Sequence, residues 1–308
     1  MFCILALFLF APGCDTPNTK NTASESTGSR IVSTVPSITE ILFDIGIGDR
    51  LVGDSKFTIF PPKAAKVEKI GGLYDINLEK VVSLKPDLVV TLQENNILRD
   101  RLAAFDIKTI SVDHRSIGGV LESYEIIGKA LGQDVFEMAK QQQLVLREKI
   151  ESFTEKYRDA PKVRVLLCVD RSRGTGRLQN LYVAGTNPYY EDVIRLAGGA
   201  NVATETGMPF PNLDAEGVIH LAPEVIVELF TGEGTVSASL MSEDDRNRLD
   251  KNALADWQKL DAQVPAVRNG RIFVITEDFA TIPGPRIPML IARLAEILDR
   301  CRSTDGRK

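Results

Sequence analysis

Residues 77–90 read NLEKVVSLKPDLVV, and residues 214–227 read DAEGVIHLAPEVIV. Glu79 returns as Glu216, Val81 as Val218, Leu84 as Leu221, Pro86 as Pro223 and Val90 as Val227, all at one spacing and without a gap. Both copies follow the same plan. Asn77 or Asp214 is suited to cap a short helix, and a proline ends it. A β-rich apolar run then follows, of the kind buried in a parallel sheet. A helix–strand unit written twice so far apart constrains the chain to two similar α/β lobes. The length of 308 residues fits two lobes of ordinary size.

The flanking sequence extends each unit. RIVSTV (30–35) predicts a strand. PSITEILFDIG predicts a helix, with Ser37 and Glu40 at capping-box spacing and Gly46 as its stop. LVGD (51–54), DLVVTL (87–92) and KTISV (108–112) predict further strands, with helices near 95–105 and 117–131. The longest periodic segment is 135–158. Val135, Ala139, Leu146, Ile150, Phe153 and Tyr157 share one helical side there, with polar cover opposite. VRVLLCVD (163–170) begins the second lobe, and 171–190 reads as a loop rich in Gly, Arg and Tyr. A helix at 190–197, the repeated unit, a helix bearing Trp257 and Leu260, the strand RIFVI and a last helix at 286–302 complete it. The expected architecture is two α/β lobes with central, mainly parallel sheets joined by one long rigid α-helix. The expected segments are 30–134, 135–160 and 161–302, with a tail at 303–308.

Residues 2–13 form an apolar run too short to span a bilayer, which takes about 20 residues. Such a run matches the hydrophobic region of a secretion signal, and small residues precede Cys14 as in a lipoprotein processing site. The expectation is a signal over 1–14, lipidation at Cys14, and a polar tether over 15–29 that has too little apolar surface to fold. The chain would then lie in the periplasm or at the cell surface, anchored to the membrane through lipidated Cys14.

A net charge of −5 gives no basic surface for nucleic acid. No CxxC pair occurs, and the only histidines, His114 and His220, are far apart, so no metal site is expected. Cys168 reads as a buried strand residue, and a disulfide to Cys301 stays open. GTGRLQ is an incomplete dinucleotide fingerprint, no GxSxG is present, and neither histidine has an evident nucleophile partner. These features do not describe an enzyme, and no cofactor is expected.

The motifs RIVSTVPSITEILFDIGIGDRLVG, GGLYDINLEKVVSLKPDLVV, RLAGGANV, PFPNLDAEGVIHLAPEVIV and GPRI, with the long central helix, run in this order from residue 30 to 302. In order and spacing the chain resembles the helical-backbone (class III) periplasmic binding proteins. These serve ABC importers of cobalamin, haem and ferric siderophores, and its nearest likeness is to the cobalamin-binding branch. The resemblance implies a monomeric carrier that captures a corrinoid between the lobes and delivers it to a permease dimer with its ATPase. It implies that Glu79 and Glu216 dock on the permease. It implies ligand contacts at Phe57, Tyr74, Tyr182, Tyr189, Phe210, Asp278, Phe279 and Arg286, with Arg286 open to the alternative of holding a loop in place. Two tryptophans of that branch are absent, and Ile59-Phe60 replaces its Asp-Tyr before the double proline.

Other readings stay open. A haem carrier would use Tyr74 as axial ligand, and a carrier of iron chelates would want cations such as Arg171, Arg173 and Arg177. A ligand sensor without transport belongs to a third class.

Overall fold

The structure is a computed structural model and describes residues 30–173, 178–230, 232–233, 236–237 and 242–305. The first lobe runs β1 (Ile31–Ser33), α1 (Pro36–Asp44), β2 (Leu51–Gly53), α2 (Leu78–Ser83), β3 (Leu88–Leu92), α3 (Asn96–Ala103), β4 (Thr109–Val112) and α4 (Ile117–Leu131). Its sheet is wholly parallel, in the order β2-β1-β3-β4. Gly132, at φ 111°, turns the chain directly into α5 (Gln133–Tyr157). At 25 residues α5 is about 38 Å long.

The second lobe runs β5 (Val163–Ser172), β6 (Gln179–Val183), α6 (Pro188–Leu196), β7 (Gly199–Asn201), β8 (Asn212–Leu213), α7 (Ala215–Leu221) and β9 (Val225–Leu229). A short hairpin of β10 (Gly232–Glu233) and β11 (Val236–Ser237) follows, then α8 (Glu243–Trp257), α9 (Pro265–Arg268), β12 (Ile272–Ile275) and α10 (Ile287–Asp305). Strands β7, β5, β9 and β12 pair in parallel in that order, which repeats the first sheet's β2-β1-β3-β4. Antiparallel β6 and β8 are an addition to the far half of β5. The expected loop at 171–190 therefore contains a strand. Tyr182 on β6 faces Asp170 across the ladder, and the pairing needs a bulge that sequence spacing does not announce.

The duplication reaches individual hydrogen bonds. Arg30 donates to the carbonyl of Leu84 at 2.6 Å, and Arg164 to that of Leu221 at 2.7 Å. The amide of Arg30 donates to Asp87, and that of Arg164 to Glu224, both at 2.9 Å. Lys85 (φ 47°) and Ala222 (φ 43°) both take the left-handed conformation that ends their helices. Each lobe thus ties the end of its short helix to the start of its first strand in the same way.

Alternation along the strands sorts the apolar residues into layers. Leu88 and Val90 on β3, and Val165, Leu167, Val225 and Val227 on β5 and β9, face one core that also takes α1, α4, α5, α6 and α10. Val32 and Val89 face a separate core with α2 and α3. Leu166, Cys168 and Ile226 face a third with Trp257. The lobes are therefore fused through a shared apolar core, of which α5 is one wall. Val135, Ala139, Leu146, Ile150 and Tyr157 bury as the helical spacing predicts, and Phe153 packs against them partly buried. No disulfide joins the buried Cys168 and Cys301.

Candidate cleft and its aromatic rim

In a parallel sheet the loops at the carboxyl ends of the strands form the ligand site. Contacts between the lobes occur at these ends. Arg286, in the loop between β12 and α10, reaches Glu40 on α1, and its guanidinium lies 4.3 Å from the ring centroid of Phe60, which follows β2. A β-carbon on Gly284 would sit 3.6 Å from the Ser37 backbone, so the two lobes approach closely here.

On the first lobe, Phe57 is half-exposed, with the ammonium of Lys56 5.1 Å above its ring. It packs against Gly72, where any side chain would overlap the Phe57 ring. Lys56 also pairs with Asp75 at 2.5 Å, which joins the Phe57 loop to the Tyr74 loop. Tyr74 is 98% exposed, on the rim of a recess of about 290 Å³ lined by Leu73, Ile76, Asn95, Ile97 and Arg101 among others. Asn95 fixes that rim by donating to the carbonyl of Leu73.

On the second lobe, Phe210 is half-exposed and edge-on to Tyr190 at 6.4 Å, and Tyr190 is edge-on to Tyr189 at 5.0 Å. The hydroxyl of Tyr190 donates to the carbonyl of Ala280, which ties this row to the 278–281 turn. Gly185 holds the Phe210 loop close, because a β-carbon there would come within 2.0 Å of the Met208 carbonyl.

The expected ligand residues divide accordingly. Phe57, Tyr74 and Phe210 present open aromatic surface. Tyr182 is also half-exposed, on the added β6 opposite Asn212, two residues along from Phe210. Tyr189 and Phe279 are buried. Both lie in the shared core, because the apolar faces of α6 and of the 278–281 turn point inward. Arg286 is 9% exposed, and its charge is already taken. It donates to Glu40 at 2.6 and 3.0 Å and to Asp278 at 2.8 and 2.9 Å. Asp278 acts here as its partner.

Glu40 and Phe60 are the residues the sequence reading missed. The capping box assigned to Ser37 and Glu40 does not form. The helix starts at Pro36 with Val35 as its cap, which places both side chains inside the helix. Ser37 instead bonds His114 Nδ1 at 2.8 Å, and His114 Nε2 meets Ser123 at 3.0 Å. His114 therefore does have serine partners. Burial pushes its pKa down to about 4, so the ring is neutral, and both of its nitrogens meet hydroxyls, whereas a catalytic relay would set a carboxylate on one of them. The signal for Glu40 was an acid set among apolar residues, with one arginine in GPRI to answer it.

The proposed cationic pocket does not stand open. Arg171 is buried and bonds Glu228 at 2.9 Å and Asp256 at 3.0 Å, and Arg173 bonds the other oxygen of Glu228 at 2.9 Å. Trp257 Nε1 donates to Glu228 at 2.7 Å. Arg177 and Cys14 lie outside the described residues. Among the described residues no group of three or more His, Cys, Asp or Glu converges as a metal site would.

Glu79 and Glu216 are exposed, each at the second helical position, of α2 and α7 respectively, behind the side-chain caps Asn77 and Asp214. A helix that precedes a parallel strand runs back against it, so its first turn lies at the carboxyl-end side of the sheet. Both carboxylates therefore stand on the cleft side, one per lobe.

A family model described as periplasmic binding protein matches residues 31–279. The vitamin B12-binding protein of Vibrio parahaemolyticus serotype O3:K6 is 28% identical over 271 residues, 87% of this chain and 88% of its own length. That of Photorhabdus laumondii is 29% identical over 201 residues, 64% of this chain and 70% of its own. Among solved structures, the periplasmic vitamin B12 binding protein BtuF of Vibrio cholerae aligns with a TM-score of 0.72 at 21% identity, covering 90% of this chain and 98% of that one. The periplasmic haem-binding protein RhuT of Roseiflexus sp. RS-1, in apo form, aligns at 0.71 and 24% identity, covering 88% and 98%. At these identities the solved structures establish the two-lobed fold.

Proposed function

The chain belongs to the periplasmic binding protein family, and from that premise we propose that it is the solute-binding component of an ABC importer for a corrinoid. The family consists of periplasmic carriers. Capture takes place between the lobes, and delivery follows by docking of Glu79 and Glu216 on a permease dimer driven by its ATPase. Two separated carboxylates facing cationic pockets fix orientation and steer encounter. A monomer anchored through lipidated Cys14 completes the picture.

The observation that carries the corrinoid reading is the charge state of the aromatic cleft. Phe57, Phe60 and Phe210 offer half-exposed rings, and Phe60 lies beside an arginine whose charge is answered by Glu40 and Asp278. Such a surface suits a broad ligand with apolar faces and an amide fringe, and two cations described beside it are already paired, Arg286 with Glu40 and Asp278 and Lys56 with Asp75. The relatives named vitamin B12-binding proteins support the same choice. The test is calorimetry of the purified protein against cyanocobalamin, haem and a ferric siderophore. Binding of either iron ligand without cyanocobalamin would end the corrinoid reading.

One observation favours haem as the second reading, namely the open phenol of Tyr74. An axial tyrosinate would give a haem absorption spectrum that the Tyr74→Phe variant loses.

A further inference from the structure

The two aromatic rims are held in different ways. In the second lobe the Phe210 loop follows β7 and is laddered to the end of β6. Val183 donates to the carbonyl of Pro211 at 3.1 Å, Gly185 to that of Pro209 at 2.9 Å and Thr186 to that of Met208 at 2.8 Å. In the first lobe the matching loop follows β2 and carries Phe57 and Phe60. It leaves at Asp54 and returns at Lys69, which lie side by side in a parallel bridge. Among the described residues, no backbone–backbone hydrogen bond joins residues 58–67 to the chain outside this loop.

One side chain reaches in instead. The ammonium of Lys69 donates to Asp54 Oδ1 at 2.7 Å, to the carbonyl of Thr58 at 3.2 Å and to that of Ala64 at 3.2 Å. Thr58 follows Phe57 directly, and the two carbonyls bracket Phe60. Asp54, Thr58 and Ala64 are all buried, so the loop is folded down onto its base. An ammonium has three protons to give, and these three acceptors take them all. A water molecule has only two, and a thioether has none. Each of the bonds is charge-assisted, which makes it about twice as strong as a neutral one.

We propose that Lys69 is a positioning residue for ligand capture: its ammonium pins the loop that carries Phe57 and Phe60 and so sets the first-lobe rim before ligand arrives. Lys69 acts through the Thr58 and Ala64 carbonyls. A loop that is already set spares the ligand the cost of ordering it, and the difference appears as affinity. For two aromatic side chains that cost amounts to about 10-fold in Kd. The second lobe has its backbone ladder for the same task. The role in capture rests on the corrinoid reading, whereas the pin itself does not.

Trypsin reads the pin without ligand, because Lys63 and Lys66 lie exposed in the loop. In the full chain, Lys69→Met should speed cutting at these two sites about 10-fold and weaken cyanocobalamin binding in calorimetry about 10-fold. Asp54→Asn removes the ion pair but keeps an oxygen for the ammonium, so it should stay within about 3-fold of the wild type in both. Glu228→Gln lowers stability from a different core and should leave both unchanged. If Lys69→Met alone does not fold, Asp54→Asn combined with it leaves no buried carboxylate unpaired and should be cut as fast. Wild-type cutting rates in the methionine variants overturn the pin. So does equal acceleration in Glu228→Gln, which would mean global unfolding, or in Asp54→Asn, which would mean that only the ion pair matters. A freed loop with unchanged affinity overturns the positioning role. A wild type that binds no cyanocobalamin ends the corrinoid reading, and the trypsin result still decides the pin.

Discussion

Removal of the charge at Glu228 is expected to cost more than any change on the cleft rim. The carboxylate is fully buried and accepts from Arg171 at 2.9 Å, Arg173 at 2.9 Å and Trp257 at 2.7 Å. In Glu228→Gln the shape remains, but Arg171, with 1% of its side chain exposed, loses one of two counter-charges. Loss of one partner of a buried pair costs about 3–5 kcal/mol. Arg171 keeps Asp256 at 3.0 Å, and Arg173 keeps the carbonyl of Leu229 at 3.2 Å, so the lower end, about 3 kcal/mol, applies. That corresponds to a fall in Tm of about 6–12 °C for a chain of this size. Urea unfolding followed by far-UV circular dichroism should show a lower midpoint at unchanged m. Trp257, the single tryptophan of the chain, reports the same site by fluorescence. Arg171→Met combined with Glu228→Met still leaves Arg173 and the buried indole N–H of Trp257 without their acceptor, so it should recover less than half of the loss. A loss below about 1 kcal/mol in the glutamine variant would mean that desolvation cancels the attraction, and the network would not be a stabilising one.

Three further outcomes are expected. Glu79→Ala with Glu216→Ala should slow uptake into vesicles bearing the transporter by about 10-fold or more while calorimetric affinity for cyanocobalamin stays unchanged. A loss of affinity would move those residues into the ligand site. Stability should be about 2 kcal/mol greater at pH 5 than at pH 7.5, because Glu40 and Asp54, raised to about 7 and about 6, take up protons on folding as pH falls, while His114, lowered to about 4, opposes them. His114→Asn should widen that difference to about 4 kcal/mol in thermal melts, and a narrower one would count against a neutral His114. Gly185→Ala sets a β-carbon against backbone at 2.0 Å, so it should lower Tm and weaken ligand binding together by displacing Phe210, and ordinary affinity in that variant would remove Phe210 from the site.

What sequence made legible was periodic or repeated. The face of α5, the caps Asn77 and Asp214, and the matched strands β3 and β9 are local patterns, and each was found where expected. The addition of β6 and β8 was not legible, because antiparallel pairing through a bulge leaves no fixed spacing. Side-chain partners across the seam were not legible either. Glu40 and Arg286 are 246 positions apart, and the capping-box pattern offered Glu40 a nearer use that the start of α1 at Pro36 forbids. Of the aromatics, sequence position alone could not separate Tyr189, turned inward on the strongly amphipathic α6, from Phe210, left outside it.

The single core shared by both sheets bears on how such a chain could arise. Half of it, taken alone, would leave the inner faces of one sheet and its helices without cover. A short ancestral gene coding for one unit would therefore have needed a second copy of its product to bury that face. Fusion of two such genes, with α5 written into the junction, would turn a symmetric pair into one polypeptide. Once covalently joined, either half would be free to diverge, and the strands β6 and β8, without counterparts in the first sheet, are a difference of that kind.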